Sequence, residues 1–133
     1  MTLVVDASAV VAALLDDGAE GRWCEGRLGE GGLVAPHLLP LEVANIIRRT
    51  EARQRIEASE AAAAFDDLRR LDVDLVPFEP IADRAWDLRS NLTVYDACYV
   101  ATAELVGGRL VTLDQKLAGA PGLRCAVEVA PGA

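Results

Sequence analysis

The sequence predicts an α/β fold: a central, mainly parallel sheet with helices on both faces. Three observations lead there. Leu3-Val4-Val5, Leu33-Val34-Ala35 and Leu110-Val111 are short apolar runs without polar alternation, as strands covered on both faces require. Stretches of helical periodicity separate them, which makes right-handed β–α–β crossovers the simplest connection. Acids stand where two of these runs stop, at Asp6 and just past Thr112 at Asp114. In open parallel sheets, ligands sit outside the carboxyl ends of the strands.

A chain of 133 residues is most simply one domain, 1–133, and no repeat, linker or low-complexity segment divides it. With 52% hydrophobic and 26% charged residues it is globular rather than disordered. The longest apolar run, Ala9 to Leu15, is too short to span a bilayer, and the N-terminus has no basic region. The expectation is a cytoplasmic protein without a membrane segment. Cys24, Cys98 and Cys125 are odd in number and widely spaced, and His37 is the single histidine. That argues against a zinc site, a disulfide framework and a histidine-based nucleophilic triad. The net charge of −8 argues against a general nucleic-acid binder, which usually carries a basic face.

In chain order, the first strand Leu3–Val5 stops at Asp6-Ala7-Ser8, and Ser8 is the expected N-cap of a helix beginning at Ala9. Asp6 is either a cap as well or a site residue at a strand end. Asp16-Asp17-Gly18 is a turn, and Ala19 to Leu28 reads as a short amphipathic helix. After a glycine-rich connection without a phosphate-loop pattern, Leu33–Ala35 forms the second strand. Pro40 suits a first helical position, so the next helix is read as Leu41 to about Glu57. That places Glu42 in its first turn, where the helix dipole alone favours an acid. Ser59 is the expected cap of a helix over Ala61–Leu71, forming a helical hairpin with the one before. Val73–Phe78 reads as a strand, Ile81–Asn91 as a helix, and Arg124–Val129 as the final strand, with a fraying tail from Ala130 to Ala133.

The stretch from Thr93 to Asp114 organises the rest. Thr93 stands three residues before Asp96, with capping-box spacing. Ala97 to Val106 is apolar nearly all round and reads as a buried helix. Gly107-Gly108 ends it, and Leu110-Val111 follows as a strand that stops at Thr112 and Asp114.

Asp6, Glu42, Asp96 and Asp114 thus all stand at element junctions compatible with one edge of one sheet. At separations of ~5 Å and an effective dielectric near 20, each pair would repel by roughly 3 kcal/mol. Six such pairs would approach roughly 20 kcal/mol, more than the ~5–15 kcal/mol that stabilises a domain. Carboxylates converging so closely must bind a cation or take up protons. Oxygen-only donors select Mg²⁺ or Mn²⁺ over zinc, and such ions typically meet a phosphate. The chemistry that follows is metal-assisted attack of water on a phosphodiester.

Four segments carry a resemblance: Val5-Asp6-Ala7-Ser8; Pro36-His37-Leu38-Leu39-Pro40-Leu41-Glu42-Val43; Asn91-Leu92-Thr93-Val94-Tyr95-Asp96-Ala97-Cys98-Tyr99-Val100-Ala101; and Leu110-Val111-Thr112-Leu113-Asp114. Taken in order, the sequence resembles PIN-domain ribonucleases, and within them the VapC-type toxins of bacterial toxin–antitoxin systems. The resemblance implies a three-layer α/β/α sandwich and a Mg²⁺- or Mn²⁺-dependent endoribonuclease acting on structured RNA, chiefly tRNA or rRNA. It implies Asp6 and Asp96 as primary metal ligands, with Glu42 and Asp114 completing the acidic cluster. Ser8 and Thr112 match small hydroxyl positions that orient carboxylates or metal-bound water. It also implies a homodimer and a cognate antitoxin occupying the acidic groove.

Two phosphate-handling alternatives fail on their own motifs. A dehalogenase-type phosphatase needs Asp-x-Asp where this chain has Asp6-Ala7-Ser8, and a receiver domain needs an acceptor Asp where Leu75-Val76-Pro77-Phe78 stands. A PIN-like module that binds partners with weak or no catalysis is the remaining alternative. Arg48, Arg49 and Arg53 form a basic segment in an acidic chain, as a solvated helix face or as a contact to RNA backbone or antitoxin.

Overall fold

A computed structural model of the chain describes residues 2–131. Five strands, β1 (Leu3–Val5), β2 (Leu33–Pro36), β3 (Asp74–Val76), β4 (Arg109–Thr112) and β5 (Val127–Val129), form one sheet in the order β3-β2-β1-β4-β5. Every neighbouring pair is parallel. The helices are α1 (Ala7–Leu15), α2 (Ala19–Leu28), α3 (Leu38–Ala52), α4 (Ala58–Arg70), α5 (Ala82–Asp87), α6 (Val94–Val106) and α7 (Gln115–Ala118). Helices α1 to α4 pack among themselves, α5 packs with α6, and α1 and α6 both lie against central strands. The result is the expected three-layer sandwich. Leu3, Val4 and Val5 are at most 1% exposed, which is why the first strand reads as an unbroken apolar run. Likewise α6 buries Ala97 to Ala103 without interruption, so its apolar circumference marks a helix in the core.

Several boundaries move, each for a local reason. Helix α1 begins at Ala7, and its N-cap is Asp6 rather than Ser8, because the Asp6 carboxylate accepts from the Ala9 N–H. Helix α3 begins three residues before the expected Leu41. Pro40 is tolerated inside its first turn, where backbone N–H groups have no helical partner to lose. The same helix stops at Ala52, and Gln54 takes a left-handed φ of 59° in the turn beyond. Glu57 belongs to the next helix, not to α3. Its N–H donates to the Glu60 carboxylate at 3.0 Å, closing the end that Ser59 was expected to cap. The expected helix 81–91 divides into a 3₁₀ turn, Glu79–Ile81, and the short α5. Strands β3 and β5, at the sheet's edges, are shorter than the expected 73–78 and 124–129, since an edge offers pairing on one side only. Ala130 is buried after β5 rather than frayed, while Gly132 and Ala133 lie outside the described residues. The cap at Thr93 is as expected, with its Oγ1 accepting from the Asp96 N–H at 3.1 Å, and Gly107 ends α6 in the left-handed conformation. The three cysteines are free, and among the described residues no helix is long and apolar enough to cross a membrane.

Two glycines five residues apart in α2 separate packing from propensity. A Cβ at Gly21 would lie 1.7 Å from the Asp16 carbonyl oxygen and 2.8 Å from that of Ala12, so only glycine lets α2 approach the end of α1. A Cβ at Gly26 would meet nothing within 4 Å. Gly21→Ala should therefore destabilise the chain by about 1–3 kcal/mol or more through overpacking. Gly26→Ala should stabilise it by roughly 0.5–1 kcal/mol through helix propensity. Urea unfolding of the two variants checks the opposite signs.

Candidate active site

Because all five strands run the same way, their carboxyl ends share one edge. Asp6 follows β1 directly, and Asp114 follows Thr112, the last residue of β4, by two. Helix α6 leads through Gly107-Gly108 into the start of β4, so it runs against the strands and brings its own start, with Asp96, to that edge. Glu42 comes from α3, which follows β2. As α3 starts at Leu38, Glu42 lies in its second turn, where the helix dipole no longer explains an acid. The chain leaves β1 for β2 on one side and returns to β4 on the other, so Asp6 and Asp114 flank the switch point where such sheets bind ligands.

Asp6 is the most constrained of the four, at 7% exposed. Its Oδ1 accepts from the Ser8 hydroxyl at 2.6 Å and the Ala9 N–H at 3.0 Å, and its Oδ2 accepts from the Thr112 hydroxyl. With their protons so placed, the two hydroxyls accept in turn. Ser8 Oγ takes the Leu113 N–H at 3.0 Å and Thr112 Oγ1 the Asp114 N–H at 2.9 Å. This lattice fastens the start of α1 to the segment after β4 and leaves about one lone-pair direction of Asp6, on Oδ2, unfilled.

The other acids are held differently. Glu42, half-buried, accepts the Tyr99 hydroxyl on Oε1 at 2.6 Å. Asp96 is half-buried at the start of α6. Asp114 is exposed and caps α7, its Oδ1 accepting from the Lys116 and Leu117 N–H groups at 2.9 and 3.3 Å. Burial raises the pKa of Asp6 from its ordinary 3.8, and the Asp96 charge adds to that against the hydrogen bonds from Ser8, Thr112 and Ala9. Glu42 is raised from 4.5, first by burial and then by Asp96 and Asp6, while the Tyr99 hydroxyl opposes the rise. Asp96 is raised from 3.8 by burial and by Asp114, opposed by Thr93. The acids thus feel one another, and no basic side chain contributes to the shift of any of these three. Tyr99 is held protonated far above its ordinary 10 by burial and the Glu42 carboxylate.

The four acids do share an edge, but they do not close round a point. Among the described residues no group of three or more His, Cys, Asp or Glu side chains is placed to hold one metal ion between them. Glu42 is drawn to Tyr99, Asp114 to the N–H groups of α7, and like charges without a counter-ion gain nothing from approaching. In donor chemistry the residues fit a hard divalent cation: oxygen ligands only, raised pKa values, and no competing positive side chain.

The family model for the PIN domain matches residues 3–123. The chain is 42% identical over 127 residues to the ribonuclease VapC1 of Mycobacterium tuberculosis, covering 95% of this chain and 96% of that one. It belongs to the VapC ribonucleases of the PIN-domain family. In fold it is similar to VapC20 of M. tuberculosis, a sarcin-ricin loop cleaving toxin, with TM-score 0.71 and 17% identity over 98% of this chain and all of that one. It is also similar to VapBC2 from Rickettsia felis bound to a DNA fragment from their promoter, with TM-score 0.70 and 13% identity over 97% of this chain and 98% of that one.

Within this VapC chain the basic segment divides. Arg49 follows Glu42 by seven residues and shares its stripe of α3, roughly 10 Å along the axis, while Arg53 is the C-cap just past the helix's end. Arg48 lies on another side, bonded to Asn45 Oδ1 at 3.0 Å and lining a groove with Phe65 of α4. His37 lines an apolar groove with Leu41 and Phe78. The residue that sequence reading passed over is Tyr99. Its signal was spacing: three residues after Asp96, it lies on the same face of α6.

The raised pKa values set a pH dependence. A carboxyl with a higher pKa folded than unfolded destabilises the fold while ionised, and relief arrives as pH falls through the folded value toward the unfolded one. Glu104, lowered through its pairing with Arg84 against the burial that would raise it, behaves oppositely and loses stabilisation below about its ordinary 4.5. The metal-free chain should therefore gain thermal stability on acidification from neutral pH to about 5. Asp6→Asn should flatten that rise. Scanning calorimetry in chelator across this range is the measurement.

Proposed function

We propose that this chain is a Mg²⁺- or Mn²⁺-dependent endoribonuclease, the cytoplasmic toxin of a toxin–antitoxin pair, hydrolysing phosphodiester bonds in structured RNA of the tRNA or rRNA class. The observation that carries the reading is the edge itself. Three carboxylates with raised pKa values repel one another there and have no basic partner, on a chain 42% identical to a ribonuclease.

When bound, a hard divalent ion supplies positive charge against the scissile phosphate and acidifies water. Asp6 and Asp96 are the residues proposed to hold it, with Glu42 offering Oε2 and Asp114 able to leave its cap at the exposed rim. Ser8 and Thr112 orient Asp6 through their hydroxyl donors and favour its charged form against the burial that opposes it. Since His37 lines the Leu41–Phe78 groove instead, the proton lost by the attacking water passes to a carboxylate of the cluster or to solvent.

A groove between α1 and α3, lined by Val11, Leu15, Ile46 and Thr50, runs from Ser8 and Leu113 away from the acids. Its apolar floor and its opening at the site support a bound antitoxin segment that covers the carboxylates. The exposed Leu41 and Phe78, at 74% and 52%, flank a second apolar groove that supports a homodimer contact. Arg49, on the stripe of Glu42, and Arg53, just past the end of α3, are the proposed contacts to RNA phosphates, and Arg48, beside the α3–α4 groove, is a proposed contact to RNA backbone or antitoxin.

Purified chain, free of antitoxin, should cut total bacterial RNA at discrete positions with Mg²⁺ or Mn²⁺. EDTA and Asp96→Asn should each abolish the cuts, and mapping the new ends identifies the target. Metal binding without cleavage of any RNA offered would favour the binding-module alternative. Arg49→Ala should weaken RNA binding and reduce the salt slope by about one unit. An unchanged slope would leave Arg49 as surface charge.

A further inference from the structure

Glu42 is the one member of the acidic edge held by a single side-chain donor from another element. Its Oε1 accepts the hydroxyl of Tyr99 at 2.6 Å, across 57 residues of sequence and from α6 to α3. The Tyr99 side chain belongs to the core and is 2% exposed overall, so its ring is fixed by packing and only its hydroxyl reaches the acids. A buried phenol requires a partner, and a carboxylate is the strongest one within reach. Glutamate carries one more torsion than aspartate, and where backbone N–H groups hold Asp6 and Asp114, it is the Tyr99 hydroxyl that holds Glu42. Without the phenol its carboxylate would be free to turn toward solvent, away from Asp96 and Asp6. Tyr99 and Asp96 share one face of α6 at a spacing of three residues, so one helix carries an acid of the site and the donor that aims a second.

We infer that Tyr99 is a positioning residue of the metal site: it occupies Oε1 of Glu42 and so presents Oε2 to the divalent ion or to water beside it. The inference rests on the proposed metal site. Tyr99 itself is no ligand, because its hydroxyl proton is committed to Glu42. Groups that hold a metal ligand from behind typically matter ten- to a hundred-fold in affinity.

The test compares Mn²⁺ affinity, by calorimetry on antitoxin-free protein, in wild type, Tyr99→Phe, Glu42→Ala and the double variant. Tyr99→Phe keeps the ring and should leave the fold intact by circular dichroism. It should weaken Mn²⁺ binding by about ten-fold or more. In the Glu42→Ala background it should change affinity less than two-fold, because the group it positions is gone. Raising Mn²⁺ should restore cleavage by Tyr99→Phe but not by Asp96→Asn, a rescue that a merely structural lesion would not show. Equal affinity in wild type and Tyr99→Phe would overturn the inference while leaving the metal site standing. An equal loss in both backgrounds would overturn it too. A wild-type chain that binds no Mn²⁺ would remove the site and the inference with it, whereas binding without RNA cleavage would leave the inference intact and sink only the ribonuclease reading.

Discussion

The buried carboxylate of Asp6 is the constraint on which the site depends. Removing an ion from water costs several kcal/mol even after relaxation, and here no cation offsets it. Three hydrogen bonds to the charged group, worth roughly 1.5–3 kcal/mol each, offset part of this cost, and the raised pKa shows that a penalty remains. They come from three places in sequence: Ser8, the backbone of Ala9, and Thr112 on β4. The switch point between β1 and β4 is thereby closed by side chains as well as by the sheet ladder. The hydroxyls then pass the constraint on, since Ser8 fixes the Leu113 N–H and Thr112 the Asp114 N–H. A neutral side chain at position 6 would lift the charge penalty and loosen this lattice together.

Much of this was legible in sequence because the signals were local. Leu3–Val5 announced a doubly covered strand, Thr93 its cap, and Gly107 the end of α6, and each stands where expected. The parallel sheet followed from their alternation, and with it the common edge for Asp6, Glu42, Asp96 and Asp114. What failed was also local but ambiguous. Ser8 and Asp6 are both good caps, and only the packing of β4 assigns the capping to Asp6 and turns Ser8 toward Leu113. Ser59 is the cap expected from sequence and Glu57 the end of the helix before, but Glu60 reaches back to the Glu57 N–H and makes Glu57 the cap. Long-range pairs such as Tyr99–Glu42 and Thr112–Asp6 have no local signal at all, beyond the face each residue occupies.

The acidity of the chain and its proposed substrate are compatible because charge is distributed by face. The negative charge at the edge is what a divalent ion requires. Positive side chains that could meet phosphates stand apart from it, Arg49 along the stripe of α3 that begins at Glu42 and Arg53 just past the helix's end. Nearer arginines would pair with the carboxylates, lower their pKa values and take the place of the ion. The Arg84–Glu104 pair shows that outcome elsewhere in the chain: there the carboxyl is lowered and the pair serves structure alone. Net charge of −8 therefore describes the acidic edge and the solvated helices, and does not by itself oppose the proposed RNA substrate.

The four acids differ both in burial and in what holds them. Asp6 is locked by three donors, Glu42 by one, Asp96 stands half-buried at a capped helix start, and Asp114 is an exposed cap. The proposed site, which would accept an ion and release products, benefits from such differences. Rigid members at the back fix where charge accumulates, so little reorganisation is left for the moment of reaction. Asp114, at the exposed front, can exchange partners at lower cost than Asp6, because the Lys116 N–H it would release lies at the surface. This also accounts for an edge that carries four acids without a closed cage. Repulsion between Glu42 and Asp96 and between Asp96 and Asp114 opposes closer approach, and the proposed divalent cation would remove that opposition.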